Sequence, residues 1–388
     1  MVYAQDPSDS TVTYPASFFA QYEVVTVNDM LNRIPGIALA LNANGSGNNR
    51  GPNNNANRGL GGDAQILIDG KRMAGKENEA ASQLNRIAAN QVEYIEIIRG
   101  SSGNLDVTNT GQIINIVLIE QSSRSTISAD VNMTNYRDGS LKSGGSFSYS
   151  AQAGMLSYLF SFEATPGYEF FESTENSING DISLNDRIVI DREKDLTTYT
   201  LNSNFNFDLS DADRLTINAL YSEADPPSKL TRNITDFNTG TPVDRFESED
   251  IPATEDNWEI GLDYEHRFAN SGRFKLLSIV NDVNRDSTRE RFFSASAQGQ
   301  QLKNLFLDSN ARTRERIVRS SYTWPVAESQ TLEVGIERAQ TILDSSLKIG
   351  LNIPGISDLA FGGLVPVALP IADSTVEEIR YESFIVHN

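Results

Sequence analysis

Val92-Glu93-Tyr94-Ile95-Glu96-Ile97-Ile98-Arg99-Gly100 is the centre of the stretch that decides the fold, residues 58–118. Arg58-Gly59-Leu60-Gly61-Gly62 and Gln65-Ile66-Leu67-Ile68-Asp69-Gly70-Lys71-Arg72 precede it, and Gly111-Gln112-Ile113-Ile114-Asn115-Ile116-Val117-Leu118 follows. Three short β-branched runs, each ended by glycine or a polar turn, read as strands of a small α+β unit, because branched side chains suit a pleated surface. Between the first two, Ala81, Leu84, Ile87 and Ala88 recur at spacings of three and four, which predicts a helix over residues 79–90.

Upstream, Thr26 is an N-cap candidate with Asp29 three residues on. Met30, Leu31 and Ile34 form an apolar face behind it, and Pro35-Gly36 is expected to end that helix. Residues 42–57 are dominated by Asn and Gly and offer nothing to a core.

Past Glu120 the period changes from helical to alternating. Tyr199, Leu201, Ser203, Phe205, Phe207 and Leu209 fall on one face, and Thr200, Asn202, Asn204, Asn206 and Asp208 on the other. Ile127, Ala129, Val131 and Met133 alternate with polar residues, as do Trp258, Ile260, Leu262 and Tyr264. A soluble sandwich also alternates. Two features favour a membrane barrel: polar faces carrying Asn, Asp and Glu, and aromatics near the strand ends, among them Tyr158, Phe207, Trp258, Phe268, Tyr322 and Trp324. Short connections at residues 152–154, 210–213, 269–272 and 327–329 separate long ones at 165–195, 222–257, 294–309 and 344–375. Outer-membrane barrels have short periplasmic turns and long external loops, so the pattern predicts about ten antiparallel strands of that kind from Ser125 onward. The apolar segment 359–371 is too short to span as a helix and reads either as a loop packed on itself or as a ligand-facing wall.

Composition narrows the function. The 388 residues contain no cysteine, which removes disulfides and thiolate metal sites. A net charge of −20 argues against nucleic-acid binding, which needs a basic footprint. His266 and His387 are the two histidines, far apart in sequence, and support neither a catalytic nor a metal site. Gly59-Leu60-Gly61-Gly62 lacks the Gly-Lys-Ser/Thr of a phosphate loop. No catalytic constellation stands out, so the expectation is a non-enzyme with no cofactor.

The ordered set Arg58-Gly59, Leu67-Ile68-Asp69-Gly70, Val92 through Gly100 and Ile114-Asn115-Ile116 resembles the plug domain of TonB-dependent outer-membrane receptors. The motif positions are Arg58, Gly59, Asp69, Gly70, Glu93, Glu96, Arg99, Gly100 and Asn115. Two departures are Ser101-Ser102-Gly103-Asn104, where the family has proline after Arg-Gly, and Thr110-Gly111-Gln112, where it has Tyr-Gly. The resemblance implies a plug over residues 17–121 and the N-terminal portion of a transmembrane β-barrel over 122–388. It also makes Thr11, Val12, Thr13, Tyr14, Pro15 and Ala16, within the 1–16 extension, a segment like the TonB box. Such a segment pairs edge-on with an energy-transducing TonB-type protein; an ordinary terminus is the alternative.

By position in the family, the Asn-rich loop rises toward the external mouth. That makes Asn48, Asn49, Arg50, Asn53 and Asn54 ligand-contact candidates, with Asp63, Gln65, Arg72 and Lys76 at neighbouring apices; a solvated loop is the other reading. Glu169, Glu172, Glu175, Asp181 and Asp186 crowd one external loop, and Glu247, Glu249, Asp250, Glu255 and Asp256 another. These fit a cationic ligand or a solvated surface among the divalent cations of lipopolysaccharide. The implied activity is import of an extracellular solute, a siderophore first among the classes, driven by the proton-motive force, in an outer membrane reached after a signal peptide absent from this chain. Lipid and lipopolysaccharide are the implied surroundings. The alternative is an outer-membrane or secreted β-rich binding or adhesion protein that transports nothing. Family barrels have about twenty-two strands, so the chain is expected to be the N-terminal portion of a longer receptor, the alternatives being a truncated pseudogene product or a chain completed by a second polypeptide.

Overall fold

A computed structural model describes residues 11–22, 24–35, 37, 64–68, 71–72, 84, 87, 89–99, 112–119, 125–295, 299–327 and 330–387. The chain begins with strand β1 (Thr11–Pro15) and runs directly into a one-turn helix, α1 (Ala16–Phe19). Helix α2 (Val27–Leu31) follows. Its start is fixed by a reciprocal cap. Asp29 N donates to Thr26 Oγ1 at 3.2 Å, and Thr26 N donates to Asp29 Oδ2 at 2.9 Å. Burial pushes the Asp29 carboxyl up, but the backbone donors of Thr26 and Val25 outweigh it and hold the group below its ordinary value. The helix ends at Leu31, before the Pro35-Gly36 expected to stop it: past Asn32 the N–H groups of Arg33 and Ile34 bond to the carbonyls three residues back, those of Met30 and Leu31. Ile34 lies beyond the helix and is still buried.

Four more strands complete the first unit: β2 (Ala64–Ile68), β3 (Lys71–Arg72), β4 (Val92–Arg99) and β5 (Gln112–Leu118). They form one sheet in the order β1-β4-β5-β2-β3, with β2 and β5 parallel and the other pairs antiparallel. Ile95, Ile97, Ile114, Ile116 and Ile66 pack one face against Phe19, Val27, Met30, Leu31, Ile34 and Ile37. Burying such side chains contributes about 1.5–3 kcal/mol each, so this face holds the unit together. Most of the helix expected over 79–90 lies outside the described residues. Leu84 and Ile87 are buried in the same core, and Ala89–Gln91 is a 3-10 turn.

The second unit is one antiparallel sheet. Its strands are β6 (Ser125–Asn135), β7 (Leu141–Ala153), β8 (Leu156–Ile178), β9 (Leu184–Asp208), β10 (Asp213–Ala224), β11 (Ser228–Asp236), β12 (Val243–Ile251), β13 (Ala253–Arg267), β14 (Arg273–Ser294), β15 (Leu302–Ala327), β16 (Gln330–Leu351), β17 (Val365–Pro366) and β18 (Asp373–His387). β10 and β11 are one strand interrupted by Asp225-Pro226-Pro227: Ala224 faces Thr198 and Ser228 faces Lys194 of β9 in unbroken register. Pro252 interrupts β12–β13 in the same way against β14. Proline has no N–H to give the ladder, which is why the breaks fall there; the carbonyls still accept, Pro227 from Asp195 and Pro252 from Thr288. With each broken pair taken as one strand and the short β17 set aside, ten long strands follow one another as neighbours. Among the described residues, β6 and β18 have a strand partner on one side only.

The long connections are not irregular loops. β8 and β9 stay paired as far as Ile178 and Leu184, and β14 and β15 as far as Phe293 and Leu302. Alternation such as Ile188, Ile190 and Arg192 against Val189, Asp191 and Glu193 lets the ladders continue. Segment 359–371 folds back on the chain: Val365–Pro366 pairs with β16 at Gly350 and Leu351, and Gly362, in the left-handed region at φ 66°, packs against the Phe306 ring.

Candidate functional site

β1 occupies the end of the first sheet. Thr11 faces Ile98, Thr13 faces Glu96 and Pro15 faces Tyr94. Tyr14 lies on the core side, 5.1 Å edge-on from Phe18, and Phe18 in turn contacts Phe19. The segment expected as an N-terminal extension is thus built into the sheet, paired with β4 and in aromatic contact with α1. The sequence signal was present in Val12 and Tyr14, which alternate with threonines just ahead of Phe18-Phe19.

The motif residues have a structural reason for their spacing. Glu96 and Asn115 are direct cross-strand partners, and Asn115 Nδ2 donates to Glu96 Oε2 at 2.8 Å. Asn115 is buried on the face opposite the main core, beside Leu67, Ile98 and Ile113. A buried amide needs such a partner. Glu93 is exposed, and Arg99 is placed by its backbone at the end of β4. Arg58, Gly59, Asp69, Gly70 and Gly100 lie outside the described residues. So do the ligand candidates Asn48, Asn49, Arg50, Asn53, Asn54, Asp63 and Lys76; Gln65 and Arg72 are placed by backbone alone, in β2 and β3.

Gln91 Nε2 donates to Ser150 Oγ at 3.1 Å, which ties the first unit to one face of the large sheet. That face is mainly polar and largely shielded, with the buried apolar patch Leu277, Ile279, Ile317 and Ala339 among its polar residues. One register row on it runs Ser128, Ser148, Ser161, Asn202, Leu220, Glu259, Asn281, Glu315 across eight successive strands. Asn202 is 5% and Glu259 2% exposed. The neighbouring row on the other face reads Phe147, Phe162, Leu201, Tyr221, Trp258, and Leu201 is 55% exposed. A water-soluble sheet would show the reverse. Apolar residues outward and polar residues toward an enclosed unit is the arrangement of a sheet solvated by lipid.

On β9 the pattern inverts toward the long hairpins. Outward, Phe207, Phe205, Ser203, Leu201 and Tyr199 give way beyond Thr197 to Asp195, Glu193 and Asp191. Inward, Asn206, Asn204 and Asn202 give way to Leu196, Lys194, Arg192, Ile190 and Ile188. Thr197 is the partner of Pro166, and the proline break of β10–β11 lies alongside. The parity of the residues carries this boundary, and the ladder of β8 and β9 runs through residues 165–195, which the sequence pattern presents as a long connection.

Beyond that boundary Glu249 of β12 sits fully enclosed between two guanidiniums. Arg289 grips it with Nε at 2.7 Å and Nη2 at 2.8 Å, and Arg232 Nη1 reaches it at 2.6 Å. Burial drives the Glu249 carboxyl up, but the arginine hydrogen bonds outweigh burial and hold it below its ordinary value. Other members of the acidic clusters are also engaged: Asp186 accepts from Ser177 at 2.6 Å and Glu255 from Arg285 at 2.8 Å. Among the described residues no three acidic or histidine side chains converge as metal ligands.

Residues 4–110 match the family model of the TonB-dependent receptor plug domain. No curated protein matches the sequence. Similar solved structures include the ferric yersiniabactin uptake receptor FyuA from Yersinia pestis, 10% identical over 98% of this chain and 61% of that one, with a TM-score of 0.35. The copper transporter OprC is 11% identical over 100% of this chain and 60% of that one, TM-score 0.35. The ferric-catecholate import receptor Fiu from E. coli K12 is 12% identical over 84% and 56%, TM-score 0.38. The chain therefore spans less than two thirds of the length of each of these three. The plug match carries the assignment of its own segment: residues 4–110 are similar to the plug domain of TonB-dependent receptors, and the antiparallel strands of a partial β-barrel follow.

Proposed function

We propose that the chain is the plug and the adjoining wall of an outer-membrane importer that takes up an extracellular solute, a siderophore first among the classes, with energy drawn from the proton-motive force. It moves a solute and makes or breaks no bond in it. The observation that carries this reading is β1. Among the described residues β1 is the last strand of the plug sheet, paired with β4, which is the position from which a strand of a TonB-type protein would add by β-augmentation, using main-chain hydrogen bonds that ask little of sequence.

The energetics set the order of events. β1 holds β4 over five residue pairs. Each hydrogen bond of such a ladder contributes a net of about 0.5–1.5 kcal/mol, so the strand peels at a load that leaves the isoleucine core of β4, β5 and β2 intact. The load then passes through Phe19, which is buried in that core. Outer-membrane lipid and lipopolysaccharide surround the outward apolar rows, which support this surrounding over a secreted binding protein.

Deleting residues 11–16 in the full-length receptor is expected to abolish energy-dependent solute accumulation in cells and to leave solute binding at the surface unchanged. Undiminished accumulation would overturn the assignment of this segment.

A further inference from the structure

From β13 to β15 the upper edge of the outward apolar rows steps down by one register row per strand. On β13 the last apolar outward residue is Trp258, and Asp282 of β14 faces it. On β14 it is Val280, faced by Arg316 of β15, and on β15 it is Val318, faced by Arg338 of β16. Strands of a membrane barrel tilt by about 35–45°, so a staircase in register is a level line in space, the plane where hydrocarbon ends. Two successive steps on that plane are arginines, in a chain of net charge −20.

Arg312 and Arg314 stand above Arg316 on the same face, and both are neutralised within the chain. Arg312 forks onto Asp282 at 2.9 and 2.6 Å. Arg314 pairs with Asp344, which also accepts from Thr375 Oγ1 at 2.8 Å. Arg316 and Arg338 differ. Arg316 is exposed and has no ion pair among the described residues. Arg338 has an amide contact at 3.5 Å to Gln340 and lies 5.9 Å from the Tyr381 ring, again with no carboxylate. The two are diagonal neighbours on adjacent strands, about 7–8 Å apart at the backbone.

We infer that Arg316 and Arg338 form a binding site for a phosphate headgroup of an outer-leaflet lipid, an inference that rests on the outer-membrane reading above. Guanidinium forks match phosphate oxygens in pairs. The long arginine stem lets the charge reach up to the headgroup plane while its methylenes stay on apolar surface. Directly below, Val318 and Ile336 are exposed, and exposed Tyr381 stands beside Arg338 as its cross-strand partner; together they give acyl chains an apolar shelf. That shelf favours a lipid over free phosphate as the source of the anion.

The test uses the full receptor extracted from outer membranes in detergent, with lipid A carrying two phosphates as the probe and its dephosphorylated form as reference. Native mass spectrometry reads the fraction of protein carrying each lipid. The phosphorylated adduct is expected to fall about tenfold or more in Arg316→Gln/Arg338→Gln, the loss of charge-assisted hydrogen bonds, while the dephosphorylated adduct stays the same. Arg245→Gln, which removes a charge on the hairpin of β11 and β12, is expected to leave both adducts unchanged. Millimolar inorganic phosphate is expected not to displace the lipid; full displacement would overturn the lipid source. An equal phosphorylated adduct in the double variant would overturn the site. Should that variant lose heat-modifiable gel mobility, Arg316→Lys/Arg338→Lys replaces it, and an undiminished two-pronged preference for the phosphorylated lipid there would likewise count against guanidinium recognition. A wild-type protein without heat-modifiable mobility would overturn the barrel reading itself, separately from the lipid site.

Discussion

Glu249 shows at the scale of one residue how the external part of the sheet differs from its surroundings. A carboxylate with no solvent exposure is tolerated because Arg289 and Arg232 supply three hydrogen bonds. Removing one member of a buried charge network leaves the others unpaired and costs about 3–5 kcal/mol. Glu249→Gln is therefore expected to speed hydrogen exchange at the amides of β11 and β12, measured at neutral pH; unchanged exchange would refute the network's role. The sign with pH follows from the lowered carboxyl. Its contribution is fully present above the unfolded value of about 4.3 and is lost as pH falls through the lower folded value, so protection in the wild type should fail only in that acidic window. Composition marked this residue as one of a cluster of acids, but the arginines that neutralise it lie 17 and 40 positions away in sequence, where single-chain patterning does not see them. The cap of α2 was legible because Thr26 and Asp29 are local.

Elements were legible where their period was clean. β2, β4 and β5 appear where the branched runs stand; the turns after β9 and β13 fall within a residue of their expected places, that after β7 falls at Gly154-Met155, and the expected turn 327–329 lies mostly outside the described residues. Two features were less visible. The first 16 residues read as a separate extension, yet Thr11–Pro15 is a strand of the plug sheet, a pairing set by a partner some 80 residues on. The long connections read as loops because proline and charge break the apolar rhythm, although the ladder itself continues through β8 and β9. On the proposed function the turn after β9 is expected to face the periplasm and the turn between β11 and β12 to face outward. Because the chain has no cysteine, single substitutions report this cleanly. A membrane-impermeant maleimide on intact cells is expected to label Thr239→Cys and to leave Asp211→Cys untouched until the outer membrane is opened. The reverse pattern would invert the topology.

For the whole molecule the decisive property is that the large sheet is inside out. Asn202, Asn218, Glu259, Asn281 and Glu315 are enclosed, while Phe162, Leu201, Trp258, Val318 and Ile336 are exposed. In water that arrangement exposes apolar area and hides groups that want solvent. In a bilayer with a plug behind the sheet, both faces have a suitable solvent. The polar faces in the sequence were expected to line a wet interior, and the hydrogen bond between Gln91 and Ser150 joins the first unit to that face. The most direct test places one nitroxide at a time on Leu201→Cys, Val318→Cys or Ile336→Cys, and on Asn202→Cys or Ser321→Cys, in receptor reconstituted into bilayers. Relaxation by oxygen, which concentrates in hydrocarbon, is then compared with relaxation by a water-soluble nickel chelate. Oxygen is predicted to dominate at Leu201, Val318 and Ile336 and not at Asn202 and Ser321. Equal accessibility on both faces, or dominance of the chelate at the apolar sites, would contradict a wall that stands in the membrane around its plug.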